Sequence, residues 1–262
     1  MILTNTEQKK SFEETKEELK KLIRQLKGNE SNDELEKIKL RFKNILKDAN
    51  PLVIAMAENE LVKEGYKIED LMSACEIHLM LFKESIENPD LDVPEWHPIH
   101  HFHLEHKAIL NILEKLRGEI KKARLRKDFE NASDEIDKIR RIALKLMEAE
   151  NHNIRQENTL FPVLEKHGIE QPPAIMWAEH TEMKEQKKEL LKILERKNDF
   201  PFDEFLRILD TIALRLTEKF ALHTQKEEHI LYVTALQVIS EEEWKEIKEE
   251  CDQLGYFEFE II

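Results

Sequence analysis

The 262-residue sequence holds 11 histidines, and they are unevenly spread. His97, His100, His101, His103 and His106 crowd one stretch, and His152, His180, His223 and His229 follow at wide intervals. Two of the later histidines are each followed, four and five positions on, by side chains with ligand atoms. His152 is followed by Gln156 and Glu157, and His223 by Glu227 and Glu228. A His four residues before a Glu sets both donors on one side of a helix, about a turn apart. Imidazole nitrogens with carboxylate oxygens suit iron, and carboxylates can bridge two ions and offset their charge. Zinc and manganese accept similar donors, so the presence of a metal is read more firmly than its identity.

Phase along the helices sharpens this reading. Ile99, Phe102, Ile109, Leu113 and Leu116 recur at alternating spacings of three and four, and His106 fills the missing place in that seam. His103 and His100 lie one and two turns earlier near the same face, which leaves three candidates on one helix. Ile139, Ile142 and Leu146 lead into His152, Gln156 and Glu157 before Leu160 and Phe161 resume the apolar stripe. Ile212 and Leu216 lead in the same way into His223, Glu227 and Glu228. Met176, Met183 and Leu190 form a seam that contains His180. A single buried His is usually a hydrogen-bonded core residue. Four of them, each costing about a few kcal/mol if left uncompensated, argue for coordination instead. His97 and His101 are assigned to the turn entering this helix and His167 before Gly168 to a helix end, and for Glu185, Glu228 and His229 the plain alternative is a solvated position.

The elements that must hold these residues are helical. Only 5 Gly and 8 Pro, against 37% charged and 40% hydrophobic residues, is the composition of long helices with few tight turns, and all-α is the expected class. Residues 1–88 read as a small helical N-terminal domain with breaks at Gly28-Asn29, Asn50-Pro51 and Gly65, and 89–96, with its prolines, as a linker. Residues 97–255 read as an up-down four-helix bundle with helices at 98–126, 133–166, 173–197 and 203–238, and a further helix from Ser240. The tail, 256–262 after Gly255, alternates like a strand and is expected to pack on the other domain or on a second copy of the chain. Cys75 and His78, three apart on one helix, are read as core and cap residues.

A net charge of -14 leaves no basic surface for a phosphate backbone or an anionic membrane. No apolar run approaches the roughly 18 residues that span a bilayer, and no signal-peptide segment is evident, so the expected location is cytoplasmic. Cys75 and Cys251 form neither a disulfide framework nor a thiolate zinc motif. No Gly-rich phosphate loop, Ser-His-Asp order or nicotinamide fingerprint is present.

Three stretches, LEHKAILNIL from Leu104, HNIRQENTLFPVLEKHG from His152 and HTQKEEHILY from His223, with AEHTEMKE around His180, resemble the hemerythrin-like HHE cation-binding domains. The segment from Glu58, ENELVKEGYKIEDLMSACEIHLMLFKESIE, is similar to the helical domain of unknown function that often precedes such bundles. The resemblance implies a hemerythrin-like bundle holding a non-haem di-iron centre with an oxo or hydroxo bridge. Its iron ligands would be His106 (or His103 or His100), His152, His180, His223 and Glu227, with one or more carboxylates bridging; Glu157, Gln156 and Glu228 are further candidates for the metal. Gln156 stands where the family has the first bridging Glu of the second helix. Either Glu157 substitutes, or the site is asymmetric, or one metal binds weakly. Lys184 stands where oxygen-carrying hemerythrins have a second His on the third helix, which weakens the case for simple oxygen transport.

The function so implied is binding or sensing of O2, NO or peroxide. The alternatives are an enzyme that reduces peroxide or NO in stress defence, and a protein of iron storage or delivery. Expected partners are a small diatomic gas or peroxide, with a second copy of the chain or a redox protein. Neither nucleic acid nor membrane is expected.

Overall fold

The computed structural model describes residues 5–26, 37, 38, 40, 41, 45, 51–66 and 91–258; Cys75 and His78 lie outside them. Every regular element among the described residues is a helix, as composition and periodicity predict. By contacts the chain divides into two compact units. One comprises 1–91, 163–176 and 225–240, and the other 92–162, 177–224 and 241–262.

In the first unit the helix Asn5–Leu26 packs along the helix Pro51–Lys63. Leu19, Leu22 and Ile23 from one and Val53, Ala57 and Leu61 from the other are buried. Above them runs a ladder of charges at helical spacing. Lys16 and Lys20 reach Glu60 at 2.7 Å each, Lys20 reaches Glu64 at 2.8 Å, and Arg24 closes the row on Glu64. Hydrogen bonds from Lys16 and Lys20 hold the Glu60 carboxyl below its ordinary pKa. Pro51 opens its helix where no backbone N–H is needed, and Gly65, at φ +97°, turns the chain after Lys63. These are two of the three breaks expected from the sequence.

The first bundle helix, Pro98–Ala123, ends in a tight turn three residues short of the expected boundary, with the N–H groups of Arg124, Leu125 and Arg126 on the carbonyls of Ile120, Lys122 and Ala123. The second runs through Ser133–Glu148, Glu150–Arg155, a widened turn Gln156–Leu160, and Phe161–Lys166. The third is Gln171–Glu195. The fourth runs through Phe202–Lys226, a second widened turn Glu227–Leu231, and Tyr232–Val238. A last helix, Glu241–Leu254, follows. The apolar seams meet in one core that includes Ile109, Leu113, Leu116, Ile139, Leu146, Met183, Leu190, Ile212 and Leu216.

Residues 255–258 form no strand. Gly255, at φ +78°, ends the last helix and folds the chain back, and Phe257 enters the same core with Lys145 over its ring at 5.5 Å. Residues 259–262 of the tail lie outside the described residues. No helix among the described residues is long and apolar enough to cross a membrane.

The first bundle helix has an unusual cap. His97 Nδ1 accepts a hydrogen bond from the Ile99 N–H at 3.2 Å, while its ring lies 4.3 Å from that of Trp244. Burial lowers its pKa from 6.5 to about 4. Between those values the unfolded chain binds the proton and the folded chain does not, so this contribution is complete above about pH 6.5 and is lost as pH falls toward 4. His97→Asn, which caps at any pH, should therefore flatten the acid side of the stability curve by about 1–3 kcal/mol relative to the parent. Denaturant melts followed by tryptophan fluorescence at pH 7 and pH 4.5 measure the difference. Parallel curves for the two proteins would refute it.

Candidate metal centre

The two widened turns have the same origin in the backbone and fall at equivalent places. The Phe161 N–H bonds the carbonyl of Gln156 and the Tyr232 N–H bonds that of Glu227, each five residues back instead of four. In the second helix Pro162 supplies a local cause, because it has no N–H for the carbonyl of Asn158 and its ring would crowd that carbonyl in a regular helix. Such turns re-aim the residues they contain and are frequent at functional sites.

Aligned on these turns, the chain repeats itself. His152, Arg155, Gln156, Glu157, Leu160 and Phe161 stand opposite His223, Lys226, Glu227, Glu228, Leu231 and Tyr232. On the alternate helices Glu105-His106 stands opposite Glu179-His180. Each of these acid-histidine pairs serves two purposes, since the His is an inward donor and the Glu orients a His on the next helix.

His152 Nδ1 lies 2.8 Å from Glu105 Oε2, and His223 Nδ1 lies 2.9 Å from Glu179 Oε2. His180 Nδ1 is held in the same way, 2.8 Å from Glu157 Oε1. Burial pushes the Glu105 carboxyl up, but the hydrogen bond from His152 and the charge of Arg155 together hold it below the ordinary carboxylate value. An ionised Glu105 accepts, so the His152 proton sits on Nδ1 and Nε2 is left as a donor atom for a metal. Carboxylates on the outer nitrogen are the usual means of fixing a metal-binding imidazole. Arg155 is completely buried, bonded to Glu105 and Asn151 and lying over the rings of Phe102 and Tyr256.

The inner nitrogens converge. His180 Nε2 and His223 Nε2 are 3.1 Å apart. With both Nδ1 atoms donating to carboxylates, two lone pairs face each other at that distance, an arrangement a shared cation reconciles. Two nitrogens bound to one ion at about 2.1 Å are themselves separated by about 3 Å. The His106 and His152 rings are 5.0 Å apart, and the Gln156 amide nitrogen is 2.8 Å from His152 Nε2. Glu227, one turn beyond His223, is completely buried. Tyr232 donates to Glu227 Oε2 at 3.1 Å. Phe102 lies beside His152, Phe161 beside His180, and Phe220 beside both His106 and His223, so apolar rings line the imidazoles. A donor set of imidazoles and carboxylate in apolar surroundings fits a transition-metal cation.

The remaining candidates are placed as follows. Gln156 is buried and faces His152, whereas Glu157 is turned to the outer nitrogen of His180. His103 and Glu228 are half-buried. His100 is half-buried against the ring of His101, and no donor group among the described residues includes it. Glu105, Glu179, Arg155 and Tyr232 escape a reading based on inward seams alone. The signal for the first two is the doublet Glu-His at both inward positions.

Residues 97–235 match the family model described as the hemerythrin HHE cation binding domain, and residues 19–88 match a family of unknown function (DUF438). No curated protein matches the chain.

Proposed function

Because the chain belongs to the hemerythrin HHE cation-binding family, we propose that its bundle holds a non-haem di-iron centre that binds or senses O2, NO or peroxide. The observation that carries this reading is the convergence of the His180 and His223 inner nitrogens, with the outer nitrogens of His152, His180 and His223 all held by carboxylates. Iron bound there would supply a reversible change of oxidation state and a coordination position for a small ligand.

The chain's own part is positional. Glu105, Glu179 and Glu157 fix the tautomers and ring angles of three histidines before any ion arrives. Tyr232 steadies the buried Glu227 carboxylate. The Phe102, Phe161 and Phe220 rings limit water around the imidazoles, which strengthens every charge interaction inside. Arg155 pairs with the Glu105 carboxylate on the side away from His152.

The test is to load the protein with ferrous iron without oxygen and add O2, NO or peroxide in fractions of an equivalent. Binding or sensing predicts an optical change that saturates near one equivalent per centre. Continued consumption beyond that point, with reductant present, would overturn binding in favour of an enzyme of peroxide or NO reduction.

A further inference from the structure

Resting on the metal-centre reading, we infer that the segment 254–257 is a strap for the centre, with Tyr256 its positioning residue. Tyr256 holds Arg155 in place, and through Arg155 and Glu105 it sets the geometry of His152.

The last helix brings Tyr256 to this place. Lys248, Asp252 and Tyr256 follow one another at intervals of four, along the helix and just past its end. Lys248 Nζ reaches the two Asp252 oxygens at 2.5 and 2.6 Å, and that carboxylate accepts the Tyr256 hydroxyl at 2.6 Å. Gly255, at φ +78°, supplies the turn that lets the chain leave the helix. Phe257 then anchors it in the core. Tyr256 is thus held through its hydroxyl and through the residue that follows it.

The Tyr256 ring lies 4.6 Å from the Arg155 guanidinium carbon, and the Phe102 ring lies 5.4 Å from it. Arg155 and Phe102 are completely buried whereas Tyr256 is 38% exposed, so Tyr256 is the outer cover of the cation. The nitrogens of the guanidinium are also engaged. Nε donates to Asn151 Oδ1 at 3.0 Å, and Nη2 donates to Glu105. Asn151 in turn donates through Nδ2 to the Leu254 carbonyl at 3.2 Å, one of those that a helix end leaves unpaired. The strap therefore holds Arg155 twice, by a ring over the cation and by a hydrogen-bonded link through Asn151.

Glu105 is where this hold meets the centre. One of its oxygens accepts from His152 Nδ1 at 2.8 Å and the other from Arg155. A guanidinium released from its cover would swing toward water and draw the carboxylate with it. His152 would then lose the acceptor that fixes its tautomer and ring angle. Tyr256 acts here through Arg155 and not as a ligand, since its hydroxyl is given to Asp252.

The test compares Tyr256→Leu, which keeps bulk without an aromatic face, with Tyr256→Phe, which keeps the ring. The first readout needs no metal: the rate at which phenylglyoxal modifies Arg155 in the full chain, followed by peptide mass spectrometry. The second is the rate at which Co(II)-loaded protein loses its ion to a chelator, followed by visible absorption. Tyr256→Leu should raise both rates at least about tenfold, and Tyr256→Phe should keep both within about threefold of the parent. An Arg155 as protected in Tyr256→Leu as in the parent would overturn the strap. So would an unchanged rate of metal loss beside a reactive Arg155, or a Tyr256→Phe that behaves as Tyr256→Leu does, and each leaves the metal centre intact. No metal bound by any of the three proteins would overturn the metal-centre reading, and this inference with it.

Discussion

Glu227→Ala is expected to strip the chain of retained metal while leaving its helices in place. Glu227 is completely buried, stands one turn beyond His223, and is the carboxylate that the family resemblance implies as an iron ligand. Loss of an outer partner of a metal ligand typically costs 10–100-fold in affinity, so loss of a ligand itself should exceed about 100-fold. Metal content after dialysis against a weak chelator measures this, with far-UV circular dichroism as the check on folding. Tyr232→Phe, which removes only the hydrogen bond to Glu227, should fall between the parent and this variant. Metal content in Glu227→Ala equal to that of the parent would remove Glu227 from the centre.

Glu105→Ala should produce the largest loss of stability. Its carboxylate is buried, orients His152 and forms an ion pair with Arg155, which is itself fully buried. Deleting one partner of such a pair leaves an uncompensated charge in the interior and costs about 3–5 kcal/mol. Replacing both partners by apolar groups is far less harmful, so adding Arg155→Met to Glu105→Ala should recover much of the stability in urea melts. Metal affinity should not recover with it, because His152 would still lack the acceptor that fixes its tautomer. A double variant that regains metal together with stability would show that Glu105 acts through packing alone.

Much of this arrangement is legible in the residues. The seam of threes and fours through Ile99, Phe102, Ile109, Leu113 and Leu116 shows where His106 points, and the structure buries all of them together. The polar interruptions at His152 and His223 stand out as candidate ligand positions because the apolar stripe resumes on either side. Helix ends set by Pro51, Gly65 and Gly168 follow from backbone freedom at those residues.

What could not be read is mostly rotation within a turn. Whether Gln156 or Glu157 faces the centre depends on the widened turn, which rotates the two residues relative to a regular helix, and spacing does not reveal that extra step except through the hint of Pro162. Glu105 and Glu179 were hidden for a different reason. They sit beside inward positions, where a charged residue normally signals a solvated face, and are buried because they serve histidines on neighbouring helices. In the tail, Gly255, at φ +78°, ends the last helix, and Phe257 joins the core.

Metal analysis of protein purified without oxygen decides whether these histidines hold iron. Close to two iron atoms per chain are expected, with iron largely lost from His223→Ala and kept in His167→Ala. Protein without metal, or with zinc alone, or equal iron retention in those two variants, would show that they do not.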